Sequence, residues 1–394
     1  MPPSSTPQPT KHITTARRNL LAALIPFVLI LTGTVLWPTL RVNLQAIAVL
    51  DLVANRHIPK PIRWLATQSI TTSDLTLPLP SGTIRARLYT PAHHPNAPAI
   101  LILHGVHHLG MNEPRLISFA SAIASCGLRV LTPELPGISD YQVGPGSITT
   151  IGQSATWLSS HQDHHTVGII GLSFSGSLAL LAAASPNFRT DIKFVVAIGA
   201  EDQMNRVAYF YISGKDLRPD GSVETLPPHE YGPLVLEYEH LEEIVPPTDL
   251  APIRSVLRAH LYEDPAAERS ALAILTPSQT AEAEHLMDTA SPTTRNILAH
   301  VNDHNLPTTT AVSPHGHLSH LTTPVYLLHG AADNIVPSAE TLWLASELPR
   351  KSLKASLISP VISHLDLDGK SPTLLDQLRL IHFFALILQA AESH

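Results

Sequence analysis

The feature that most constrains this chain is a succession of short apolar runs separated by helix-length stretches. Ala99-Leu103 reads AILIL, with no polar residue at alternate positions, as a strand buried on both faces requires. Leu128-Thr132, Thr166-Ile170, Val195-Gly199, Val325-His329 and Leu353-Ser359 are further strand candidates. Between or after them, Leu116-Ser125, Ile148-Ser159, Ser175-Ala184 and Leu374-Ala390 carry helical patterns. Such alternation predicts an α/β fold: a mostly parallel, doubly wound sheet with helices on both faces. Ile70-Leu79 and Ile84-Tyr89 alternate instead around Ser81-Gly82, which predicts an antiparallel hairpin. No internal repeat interrupts this order.

Composition agrees. Of 394 residues, 44% are hydrophobic and 14% charged, which excludes a disordered polyelectrolyte and permits a large core. The net charge is −7 and no long basic run occurs, so a nucleic-acid partner is not expected. Cys126 is the only cysteine and cannot close an intrachain disulfide or supply a Cys-rich zinc site. The 23 histidines include His315-x-His317-x-x-His320 and the pairs His93-His94, His107-His108 and His164-His165. None has carboxylates or cysteines at ligand spacing, so loop or solvated roles are expected, with no metal and no other cofactor.

The amino terminus reads as a membrane anchor. A Pro/Ser/Thr-rich tail (1–18, with Lys11, Arg17 and Arg18 near its end) precedes residues 19–37, which contain no charged side chain. That run is about 28 Å long as a helix, close to one hydrocarbon thickness. Trp37 and Arg41 stand where an interfacial aromatic and a charge belong. A cleaved leader would need a shorter apolar region, and its small-residue motif, Ala46-Ile47-Ala48, lies beyond Arg41. The basic flank places the amino terminus in the cytoplasm and the C-terminal domain outside it. Residues 38–68 form a juxtamembrane segment, helical over 40–54, lying on the membrane or on the domain and ended by Pro59 and Pro61.

Two parts of the sheet, 69–200 and 321–394, flank an insertion over 201–320. An interval of roughly 120 residues is too long for a connection, and it holds helical patterns at Pro252-Leu261, Ala266-Ile274 and Gln279-Asp288. We read it as a helical cap or lid. Within it, Tyr209-Phe210-Tyr211 serve core packing or form a substrate wall.

The segment Val167-Gly-Ile-Ile-Gly171-Leu-Ser173-Phe-Ser175-Gly176 runs from a buried strand through a sharp turn into a small-residue helix. It resembles the nucleophile elbow, G-x-S-x-G, of the α/β-hydrolase family, with Ser175 in the second glycine position. Pro324-Val-Tyr-Leu-Leu-His-Gly330-Ala-Ala-Asp333 resembles the family's acid loop, and His364, beyond Leu353-Ser359, stands where the family's base sits. His104-Gly105-Val106 resembles its HGx turn, and Pro133-Glu134-Leu-Pro136-Gly137 the loop that follows. The resemblance covers roughly residues 69–200 and 321–390, four motifs in the family's order; the lid matches none.

It implies a serine hydrolase, with Ser173 as nucleophile, His364 as base, Asp333 as orienting acid, and the backbone amides of Val106 and Phe174 as oxyanion donors. His107 and His108 follow the oxyanion turn and are candidates for the pocket mouth, whereas His104 is structural. Asp366, Asp368, Glu201 and Asp202 are fallback acids, and His382 is set aside because it falls in the closing helix. The expected partner is a small-molecule ester or acyl compound, and the apolar lid suggests an apolar or lipid-like one. The same three residues also serve an acyltransferase, and a non-catalytic binding protein could keep the fold. The sequence sets no oligomeric state.

Overall fold

The computed structural model describes residues 36–163, 165–364, 367 and 372–393. The expected tail, and the expected anchor up to residue 35, lie outside the described residues.

Helix α1 is described over 36–53 and α2 spans Lys60–Ala66. The hairpin forms as expected from β1 (Ile70–Leu79) and β2 (Gly82–Pro91). The chain continues through β3 (Ala99–Leu103), α3 (Pro114–Ser125), β4 (Arg129–Pro133), α4 (Pro136–Ser139), α5 (Pro145–Ser160), β5 (Val167–Leu172), α6 (Phe174–Ala184) and β6 (Ile192–Ile198). The insertion then holds α7 (Met204–Ser213), a small hairpin of β7 (Lys215–Leu217) and β8 (Val223–Thr225), α8 (Tyr231–Glu239) and α9 (Leu241–Ile244). It ends with α10 (Pro247–Leu261), α11 (Pro265–Leu272), α12 (Pro277–Met287), α13 (Pro292–His304) and α14 (Leu306–Ala311). β9 (Val325–Gly330), α15 (Ala339–Glu347), β10 (Leu353–Ser359) and α16 (Leu374–Glu392) complete the fold.

The main sheet has eight strands in the order β1-β2-β4-β3-β5-β6-β9-β10. All pairs from β4 to β10 are parallel, and only β1 and β2 run antiparallel. Helices cover both faces. Leu101, Leu103, Ile169 and Val195 pack with α5, α6 and the insertion. Ile100, Ile102, Ile170 and Val196 turn the other way, onto α1, α3 and α16. This alternation is why the central strands carry apolar residues at every position.

Helix α1 lies on the domain, with Val42, Ala46, Ala48 and Val49 buried in the second core. Arg41 pairs with Glu392 at 3.3 Å, and Gln45 donates to the Cys126 carbonyl at 2.5 Å. It ends at 53, earlier than Pro59 and Pro61; Pro61 instead falls in the first turn of α2. Proline opens helices through the chain, including α3, α5 and each of α10 to α14, because the first turn has no use for its missing N–H. Helix α16 is apolar and long enough to cross a membrane, yet Leu380, Phe383, Phe384, Ile387 and Leu388 are buried against the sheet, as in a core helix.

Candidate active site

β5 lies between β3 and β6 and delivers Ser173 to the carboxyl edge of the sheet. There the backbone takes φ 55° and ψ −138°, a conformation costing about 1–3 kcal/mol for a residue with a side chain. Two close approaches hold the bend. A Cβ on Gly171 would lie 2.5 Å from the Gly176 Cα and from the Ser175 carbonyl oxygen, and one on Gly176 would lie 2.9 Å from the Ala200 Cβ. Ser175 is wholly buried, and its hydroxyl donates to the His104 carbonyl at 2.6 Å, tying the bend to the end of β3.

His364 approaches from the loop after β10. Its Nε2 is 3.2 Å from the Ser173 Oγ and its Nδ1 is 2.6 Å from the Asp333 Oδ2. A carboxylate only accepts, so the proton sits on Nδ1 and Nε2 faces the hydroxyl as acceptor. The loop passes so close to the end of β9 that a Cβ on Gly330 would overlap the Ser363 carbonyl oxygen, at 1.6 Å.

Asp333 is buried, and its Oδ1 accepts from the Ile335 and Val336 amides at 2.9 and 3.0 Å. Burial alone would raise its pKa. The facing His364 and His329 imidazoles outweigh burial and hold it well below the usual carboxylate range. His329, which the sequence analysis did not single out, lies with Nε2 3.3 Å from the Asp333 Oδ2. Its Nε2 donates to the Val336 carbonyl at 2.8 Å and its Nδ1 accepts from the Thr341 hydroxyl at 2.7 Å, so its tautomer is fixed. Position alone could have flagged it, four residues before the acid and at the strand end.

Val106 and Phe174 both border the cleft that holds Ser173, and neither amide donates to a backbone carbonyl among the described residues. The Val106 carbonyl accepts from the Tyr231 hydroxyl at 2.6 Å, linking this turn to α8 of the insertion. His104 is buried, with Nδ1 donating to the Gly105 carbonyl at 2.8 Å and Nε2 accepting from the Leu135 amide at 3.0 Å. Burial lowers its pKa, and both nitrogens are engaged in shaping the turn.

The cleft has a volume of about 1190 Å³ and contains Ser173 and His364. His107 and His108 line it, with rings stacked at 4.6 Å, and His108 stacks on Tyr262 at 4.0 Å. Burial pushes both imidazoles below their ordinary pKa. Tyr231, Tyr262 and Glu263 also line it, and they come from insertion positions that carried no motif. Of Tyr209-Phe210-Tyr211, the last two are buried and Tyr209 is exposed. Tyr211 borders a smaller cavity beside Phe174.

The fallback acids are elsewhere. Asp202 accepts from Arg206 at 2.8 Å, and Glu340 accepts from the Asp202 and Gln203 amides and from Arg206, so these groups join β6, α7 and α15. Glu201 is buried, and neither carboxyl oxygen has a hydrogen-bond partner among the described residues. Asp366 and Asp368 lie outside the described residues, and His382 is exposed on α16. Folding also gives His315 the carboxylates that spacing did not: Asp202, His315 and Glu347 bring donor atoms within 4.8 Å of one another. The His315 Nδ1 itself lies between the two carboxylates.

No protein-family model and no curated protein matches the sequence. Similar solved structures include a dienelactone hydrolase from Anabaena variabilis (16% identity, TM-score 0.42), covering 79% of this chain and 95% of that one. A putative lipase from Acinetobacter baumannii (14%, TM-score 0.44) covers 81% and 92%. An esterase from Pyrobaculum calidifontis (16%, TM-score 0.43) covers 90% and 93%. The order of the eight strands, the crossing at β3 and β4 and the bend after β5 are those of the α/β-hydrolases, and the chain has that fold.

Proposed function

We propose that the chain is a membrane-tethered serine hydrolase of carboxylic esters. The observation carrying this is the position of His364, 3.2 Å from the Ser173 hydroxyl and 2.6 Å from the Asp333 carboxylate. In the reading, Ser173 Oγ attacks the ester carbonyl while its proton passes to the His364 Nε2. Asp333 stabilises the resulting imidazolium, and the Val106 and Phe174 amides face the oxyanion. Collapse of the tetrahedral adduct breaks the bond to the alcohol oxygen, which takes the proton from His364. Water, deprotonated by the same nitrogen, then releases the acid and restores Ser173. A cleft of about 1190 Å³ leaves room for water beside a small ester, which favours hydrolysis over acyl transfer to another alcohol.

The tether is the apolar run 19–37, with the catalytic domain outside the cytoplasm. Ala46 and Ala48 are wholly buried within α1, which favours a retained anchor over a leader cut at that motif. Ser173→Ala tests the chemistry. It should lower kcat for p-nitrophenyl butyrate by about 10³-fold or more and abolish labelling by a fluorophosphonate, with the circular dichroism spectrum unchanged. Undiminished turnover would overturn the assignment.

A further inference from the structure

The residues lining the cleft around Ser173 fall into two chemically different groups. On the lid side the cleft is walled by His107, His108, Tyr231, Tyr262 and Glu263, all able to hydrogen-bond or to stack on a ring. On the other side it runs over the ends of β5, β6 and β9 toward the second core, where Val49, Leu50 and Val53 of α1, Phe119 of α3, Ile362 of the loop after β10 and Phe384 of α16 line it, with Asn55 and Ser118 as its polar members. The other six side chains are hydrocarbon throughout. Usual small-molecule pockets measure about 300–1,000 Å³, so the 1190 Å³ here exceeds what an acetyl or butyryl ester needs. Val235 of the insertion adds apolar wall on the lid side, and α1, the helix that follows the amino-terminal apolar run, supplies it on the other.

We infer that the arm between α1, α3 and α16 is a binding site for the long unbranched acyl chain of an ester, the alcohol portion facing His107, His108 and Tyr262. The inference rests on the ester-hydrolase reading for the identity of the reacting group. Two physical reasons assign the chain to the acyl side. The acyl group stays attached to Ser173 through both halves of the reaction, so an apolar arm stabilises the intermediate as well as the first complex. The alcohol must leave toward water, and the polar arm with its titratable rings offers that route.

The full chain, reconstituted in phosphatidylcholine vesicles, should show kcat/KM rising about 2- to 4-fold per added methylene from p-nitrophenyl butyrate to dodecanoate, the gain expected for burying one CH₂. Val53→Trp, which fills the arm from a partly exposed position, should lower the dodecanoate-to-butyrate ratio at least about 10-fold. Leu50→Trp serves as a second variant should Val53→Trp misfold. A flat or falling chain-length profile, or a ratio unchanged in a folded variant, overturns the inference. Dodecyl acetate gaining more than p-nitrophenyl dodecanoate would also overturn it, since the chain would then lie on the alcohol side.

Binding separates this outcome from failure of the chemistry. The Ser173→Ala protein is titrated with 11-(dansylamino)undecanoic acid. Saturable binding that the added Val53→Trp weakens supports the arm even without turnover, whereas no saturable binding overturns it. Loss of fluorophosphonate labelling in the parent protein, by contrast, would sink only the ester-hydrolase reading.

Discussion

At the scale of single residues, the bend at Ser173 depends on what its neighbours lack. Gly171 faces backbone atoms on the other side of the turn, and backbone cannot swing aside as a side chain can. Gly171→Ala should therefore cost about 3 kcal/mol, the upper part of the overpacking range, and abolish fluorophosphonate labelling. Wild-type thermal stability in that variant would show that the turn has slack. Ser175 is the opposite case, a polar residue used where a glycine would fit. Its buried hydroxyl donates to the His104 carbonyl, so Ser175→Ala should cost about 1–2 kcal/mol by leaving that carbonyl short of a donor. Turnover of p-nitrophenyl butyrate should fall less than 10-fold, because the adjacent Ser173 retains the contact with His364. A loss as deep as that of Ser173→Ala would instead make Ser175 a reacting group.

At the scale of elements, the strands and the insertion helices α10 to α12 were legible and the rest of the insertion was not, for a physical reason. A polar side chain on a strand buried on both faces must find a partner there, as His329 does in β9, so AILIL at Ala99–Leu103 has few other readings. Ser173, Asp333 and His364 were picked out by the resemblance of their motifs to the α/β-hydrolase family, and each follows a strand of the sheet, β5, β9 and β10. Helix α8, YGPLVLEYE, begins with Gly232 and Pro233 near its first turn and is buried almost all round, so neither caps nor a polar stripe mark it. Tyr231, at its start, meets the Val106 turn only through the path of the intervening chain. Tyr231→Phe removes that hydrogen bond, together with the hydroxyl's interaction with Tyr141, and lets the turn drift from the cleft. It should lower kcat/KM about 5- to 10-fold, with a change in stability of about 1 kcal/mol. A variant that matches wild type in turnover would separate α8 from the reacting centre.

At the scale of the whole molecule, the insertion carries buried acids, and these make its stability depend on pH. Glu237 of α8 is wholly buried, and neither carboxyl oxygen has a hydrogen-bond partner among the described residues. Burial pushes its pKa up to about 9. Glu239, two residues on, accepts from the Val143 amide at 3.0 Å, and burial raises it to about 7. In the unfolded chain both titrate near the ordinary glutamate value of about 4.3. The folded state thus holds more protons than the unfolded one between that value and the raised ones. The stability their neutral forms contribute is fully present below pH about 4.3, and it is lost as pH rises through about 7 and about 9. Glu237→Gln keeps the shape and removes the ionisation. Thermal denaturation should find the variant and the parent nearly parallel from pH 4 downward. At pH 9 the variant should lead by about 1–3 kcal/mol, a fraction of the full shift because water reaches the opened insertion. Equal pH slopes for the two proteins would mean that Glu237 is solvated in the folded state, and that the apolar packing of α8 against the sheet does not extend to its side chain.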